Sequence, residues 1–208
     1  MQHDAPEDPN TSAELPAIEF DSPGRFAVYN PQLSSPPGAP VESVMVPPTE
    51  RALQRFTLPE QAREHVLALI GQARHALDVY SPDLEPWLYN HGSVQDACCR
   101  FLLAHPRNRM RILVGDTGRA VRDGHQLLAL SRRLTSKLHI RKLNPDHPGD
   151  DGAFLVVDSR SLLARPVAEQ QAGYALYNDP GRARQKRSQF AQAWDHSLSD
   201  PDLRSFLL

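Results

Sequence analysis

Asp151-Gly152-Ala153-Phe154-Leu155-Val156-Val157-Asp158-Ser159-Arg160-Ser161-Leu162-Leu163 decides the fold. Phe154 to Val157 is apolar without alternation, the pattern of a strand covered on both faces. Asp158-Ser159-Arg160 is a polar turn, and Ser161-Leu162-Leu163-Ala164 resumes as a second strand. A sheet of such strands needs helices over both surfaces, so helices are expected between the strands.

They recur upstream. Leu138-His139-Ile140-Arg141-Lys142-Leu143 is a strand, and Gln126 to Leu134 repeats Leu127, Leu128, Leu130 and Leu134 at helical spacing. Arg111-Ile112-Leu113-Val114 is a strand stopped by Gly115-Asp116, and Ser93 to Ala104 a helix with Val94, Ala97, Cys98, Phe101 and Leu102 inward. Ala76-Leu77-Asp78-Val79-Tyr80 is a strand ended by Ser81-Pro82. The helix before it is expected from Thr57 as cap, with Pro59 in its first turn and Ala62, Val66, Leu69, Ile70 and Ala73 on one face. Downstream come the strand Tyr174-Ala175-Leu176-Tyr177 and a closing helix from Pro180 to His196, with Ala183, Phe190, Ala193 and Trp194 inward. This alternation predicts an α/β sheet with covered faces.

Before residue 50 the chemistry changes. Residues 1–50 hold ten of the 19 prolines and carry a net charge of −7, whereas 51–208 carry +5. A segment this acidic and proline-rich buries too little surface to offset its ordering entropy, which predicts a disordered arm over 1–50 and one domain over 51–208. Within the arm, Arg25-Phe26-Ala27-Val28-Tyr29 is the one strand-like run, a candidate to dock as an edge strand. No run reaches the ~18 apolar residues of a membrane span, and the acidic, polar start resembles no export signal. A cytoplasmic location is expected. Cys98 and Cys99 are adjacent, so they diverge on a helix and form no disulfide, and no His or Cys lies at zinc-ligand spacing. Reduced thiols, no metal and no cofactor are expected.

The quoted segment and its surroundings resemble the phospholipase D superfamily, whose signature is His-x-Lys-x-x-x-x-Asp on a strand of this kind. Phe190 to Ser197, with Phe190 and Trp194 four apart, is similar to that family's last helix. The resemblance covers about residues 57 to 198 and implies a mixed sheet flanked by helices. It also implies a phosphodiesterase in which His attacks phosphorus, Lys neutralises the non-bridging oxygens and Asp steadies the His. Placing Asp158 on the family's Asp puts Ala153 at the Lys and Asp151 at the His. Alanine supplies no charge, and an aspartate at the nucleophile position repels an anionic substrate. The expectation is a degenerate, inactive site, with Asp158 retained as a cap for the turn that follows it.

An unconventional phosphodiesterase remains as an alternative. His139 to Asp146 reads His-x-Arg-x-x-x-x-Asp, but Asn144-Pro145 interrupts the strand that such spacing needs; His147 sits in a loop rich in Pro, Asp and Gly. Two basic clusters are candidate phosphate or nucleic-acid contacts if they share a face: Arg132, Arg133, Lys137, Arg141 and Lys142, then Arg182, Arg184, Lys186 and Arg187. Trp87 and Tyr89, in the loop Pro82 to Asn90, are candidate interface anchors. The resemblance implies pairing of two such domains across the catalytic cleft, and a bacterial origin with association to GNAT-type acetyltransferases as partners. Regulation or scaffolding of a protein partner is therefore the leading functional expectation, nucleic-acid binding the second.

Overall fold

The computed structural model describes residues 45–146 and 152–203. Residues 1–44, with the strand expected at Arg25 to Tyr29, lie outside the described residues, as do His147 and Asp151. Seven strands form one mixed sheet in the order β1-β7-β6-β5-β2-β3-β4. β2 (Ala76–Ser81), β3 (Arg109–Val114) and β4 (Leu138–Lys142) are parallel. β5 (Ala153–Val157) runs antiparallel beside β2 and continues as a meander through β6 (Ser161–Arg165) and β7 (Gly173–Tyr177). β1 (Ala52–Phe56) closes the far edge, antiparallel to β7.

The parallel strands are joined by helices, as parallel strands must be. α1 (Pro59–Gln72), α3 (Gly92–Ala104) and α5 (Gln126–Arg133) cover one face of the sheet, over Val79, Ile112, Leu155 and Leu163. Two short helices, α2 (Pro86–Tyr89) and α4 (Gly118–Arg122), lie in the connections. Among the described residues α6 (Pro180–Asp195) covers the other face, packing Ala183 and Phe190 on Leu113, Phe154, Val156 and Leu176. β5 is buried along its whole length, as its unbroken apolar run requires. A mixed sheet flanked by helices is thus the architecture observed.

Some local expectations are corrected. The helix cap at Thr57 is displaced: α1 starts after Leu58, and the Gln61 side-chain oxygen accepts the amides of Thr57 (3.2 Å) and Leu58 (3.4 Å). β1 is a strand that alternation did not reveal, because Leu53 and Arg55 face the sparsely covered side. Residues just ahead of β1 also contact the turn after β7. Asn178 Nδ2 donates to the Thr49 carbonyl at 2.8 Å, and Arg51 pairs with Asp179 at 2.8 Å.

Asp158 does not cap the turn that follows it. It has a left-handed backbone (φ 50°), and its carboxylate accepts the amides of Arg74 (2.6 Å), His75 (2.8 Å) and Ala76 (2.8 Å), at the entrance to β2. Three amides on one carboxylate are charge-assisted bonds that fasten the β5–β6 turn to the α1–β2 turn. Asp158→Ala should therefore lower unfolding free energy by about 2 kcal/mol in urea titration, with Asp158→Asn recovering only part of it.

Candidate functional site

The strand ends that face β5's start make the site. Ser81, at the end of β2, and Ala153 and Arg165, paired in register across β5 and β6, point to the α1 side of the sheet. The loop Pro82 to Asn90 folds over them. Asp83 Oδ1 accepts the amide of Glu85 at 3.0 Å in a tight turn, and Leu84 and Glu85 both take left-handed backbone (φ 62° and 41°). This turns Glu85 inward, where its carboxylate pairs with Arg165. Both side chains are buried, at 2% and 1% exposure.

Arg165 is anchored through Nη1, while its buried Nε has no hydrogen-bond partner among the described residues. Nη1 donates to the carbonyls of Ala168 (2.9 Å) and Gln170 (2.6 Å), and the guanidinium lies 5.0 Å from the Trp87 ring centroid. The Trp87 carbonyl in turn accepts from Arg63 Nη2 at 3.3 Å. The space beside Ala153 is thus filled by an internal ion pair under an indole. His125, 1% exposed, caps α5 by accepting the Leu127 amide on Nδ1 at 3.1 Å. Burial lowers its pKa to about 4, against the Leu84 carbonyl and the Asp83 carboxylate, which act to raise it.

The candidate interface anchors behave differently from expectation. Tyr89 is 2% exposed and belongs to the core, and Trp87 is half-buried against Arg165. An aromatic pair in a loop looked like an exposed anchor, but the loop folds inward. Cys98 is buried, which pushes its thiol up to about 12 and leaves it unreactive; Cys99 is half-buried.

The basic clusters are divided among several tasks. Lys137 Nζ donates to the carbonyls of Leu102 (2.6 Å) and His105 (3.1 Å), closing the C-terminal end of α3. Lys142 pairs with Asp200 at 4.0 Å, and Arg132 Nε reaches the Leu203 carbonyl at 3.5 Å. Arg141 lies 4.7 Å from the Trp194 ring, which Arg111 approaches at 5.3 Å from its own strand. Arg187 bonds Ser159 and lies 3.7 Å from Asp78, and Lys186 sits 5.1 Å from the Phe154 ring. Arg141, Lys186 and Arg187 therefore share the α6 face. Arg133, Arg182 and Arg184 are peripheral, the last two exposed on α6. Arg111, half-buried between Asp78 (2.8 Å) and Phe190 (4.9 Å), was missed because it occupies an apolar-looking strand.

His139 is exposed on the α6 face, on β4. In register it matches Arg111 and Asp78, three residues down β2 from Ser81, so it lies about 10 Å along the strands from the pocket and three and four strands across from Ala153 and Arg165. It cannot share chemistry with Ala153 or Arg165. Among the described residues no His, Cys, Asp and Glu cluster is placed to hold a metal ion, and no helix is long and apolar enough to cross a membrane.

The sequence model of DUF7931, a domain of unknown function, matches residues 58–206. The chain belongs to the DUF7931 family. No curated protein matches it in sequence. Among solved structures this DUF7931 domain is similar to Nuc from Salmonella typhimurium, a phospholipase D family member, with 17% identity and a TM-score of 0.51 over 71% of this chain and 97% of that one. It is also similar to TrmBL2, an archaeal chromatin protein, with 12% identity and a TM-score of 0.54 over 74% of this chain and 55% of that one. At these identities the likeness is one of fold, and it supports the phospholipase D-like architecture.

Breaking the buried pair in either half should be costly. Glu85→Ala or Arg165→Ala in the DUF7931 domain is expected to lose about 3–5 kcal/mol by chemical denaturation, while Glu85→Leu with Arg165→Met together loses far less. Acid should also weaken the fold through His125. Its folded pKa, about 4, lies below the ordinary 6.5, so the unfolded chain binds the extra proton. His125 thus stabilises fully above 6.5 and loses that contribution as pH falls from 6.5 to 4. Thermal melts of wild type and His125→Gln across that window should converge on acidification.

Proposed function

We propose that this domain is a catalytically silent phospholipase D-like module that works by binding. The observation that carries this reading is the buried Glu85–Arg165 pair, which fills the space beside Ala153, the residue that the sequence resemblance aligns with the family's Lys. A guanidinium buried against a carboxylate presents little net positive charge to a phosphate oxygen. The loops around the pocket carry Asp83, Asp116 and Asp123 beside Arg119 and Arg122, with Arg119 shared between Asp83 (3.2 Å) and Asp123 (3.6 Å), and so add no net positive charge to attract an anionic substrate.

What the module binds follows from its surface. The protein-partner reading, by scaffolding or by self-association, expected anchors at Trp87 and Tyr89; their inward placement leaves it without a named contact. Nucleic-acid binding gains from two observations. Arg111 and Arg141 approach the half-buried Trp194 on the α6 face, and the fold is shared with TrmBL2, whose structure is described as showing a novel mode of DNA binding. Nucleic acid is the ligand class favoured here.

The test of silence is hydrolysis of bis(p-nitrophenyl) phosphate by the full chain over pH 5–9. The expected outcome is turnover no greater than that of buffer. Turnover that survives repurification and disappears in His139→Ala or Asp158→Asn would overturn the reading in favour of an unconventional phosphodiesterase.

A further inference from the structure

We propose that the end of the sheet opposite the pocket is a surface for the phosphodiester backbone of a nucleic acid, carried by Arg74, Arg107, Arg109 and Arg160. The proposal rests on the binding-module reading and locates the contact away from the old pocket and away from the basic clusters legible in sequence.

The topology brings these four together. They lie in three turns, 73–75, 105–109 and 158–160, at the start of β2, the start of β3 and the end of β5. The Asp158 carboxylate holds the amides of Arg74 and His75 against the turn that carries Arg160. The Arg109 amide donates to the His75 carbonyl at 3.2 Å, which sets β3's first residue beside β2. Neighbouring strands are about 4.8 Å apart, so the row crosses β5, β2 and β3 within about 10 Å. Arg74 and Arg160 flank a cleft of about 540 Å³ that also includes Gly71, Val157 and Asn178.

All four arginines are exposed, and none of their guanidinium groups pairs with a described residue. Cations near helix C-termini often serve the helix dipole, but Lys137 already does this for α3. The neighbouring carboxylates are engaged elsewhere. Asp158 is held by three amides, Asp179 by Arg51 and the Arg182 amide, and Asp78 by Arg111. The positive charge at this end is therefore open to an outside anion.

Phosphate fits that charge best. All four residues are arginine, whose planar fork matches phosphate bidentately, and a row of separate cations matches a chain of repeating charges. A membrane would need apolar side chains beside the cations, and the turns 73–75, 105–109 and 158–160 present no exposed large hydrophobic.

The experiment is fluorescence anisotropy of the full chain with a labelled 20-nucleotide single-stranded DNA, the same sequence as RNA, and the DNA duplex, over a salt series. Four phosphate contacts predict a slope of log K against log salt of about −3 to −4 for the duplex. R74Q/R160Q should reduce it by about 2 and weaken binding about 100-fold at low salt, and R107Q/R109Q should act similarly. R119Q/R122Q, the same charge change at the opposite end, should shift affinity less than about 3-fold because salt screens it. Thermal melts confirm that each variant is folded. No binding, equal loss in all three double variants, or equally tight binding of poly-glutamate or phosphatidylserine vesicles would overturn the proposal. Binding lost only in the first two pairs supports it whether or not the strand is cut, cutting being the result that removes the silent-pocket reading instead.

Discussion

The structure depends on one carboxylate at the junction of two sheets' worth of topology. β2 belongs to the parallel half, β5 to the antiparallel meander, and they meet edge to edge at the centre of the sheet. Asp158 closes that junction at one end by gathering three amides from the turn before β2. Backbone amides at the mouth of a central strand have no ladder partner beyond the last pair. A side chain that satisfies all three sets the register between halves that are some eighty residues apart in sequence. Its left-handed backbone is the local strain that this geometry requires.

At the other end of the same strands the structure has chosen closure. A buried ion pair is seldom the most stabilising way to fill a space, because desolvation offsets most of the attraction. What it supplies is specificity of arrangement: Glu85 reaches Arg165 only if the loop from Pro82 takes its unusual backbone, and Trp87 is then laid over the guanidinium. Closure of the pocket and shape of the loop are a single event. The loop's aromatic residues are drawn inward by it and contribute to the core.

Much of the architecture was legible because it rests on local pattern. Phe154-Leu155-Val156-Val157 announces a doubly covered strand, and the leucines of Gln126 to Leu134 announce an amphipathic helix. β1 was not, since Ala-Leu-Gln-Arg-Phe alternates weakly and follows a proline-rich stretch. The site was read from the sequence only through a resemblance that aligns Ala153 with the motif's Lys. The Glu85–Arg165 pair joins residues far apart in sequence, although an arginine ending the strand Ser-Leu-Leu-Ala-Arg, with proline next, was a signal that a buried cation needed a partner. Basic residues adjacent in sequence drew attention to Lys137 and Lys142, which serve the fold, whereas Arg74, Arg107, Arg109 and Arg160 become neighbours only through strand order.

That separation of charge has a kinetic meaning. Four exposed arginines at the starts of β2 and β3 and the end of β5, against Asp83, Asp116 and Asp123 with Arg119 and Arg122 in the loops at the other end, leave the domain a modest dipole directed along its strands. A polyanion exerts a torque on such a dipole before contact and turns the positive end toward itself. At physiological salt the field decays over about 8 Å, so the alignment acts only in the last approach, where it raises the fraction of encounters that arrive correctly oriented. The Trp87 loop would then face outward, away from whatever the arginines hold.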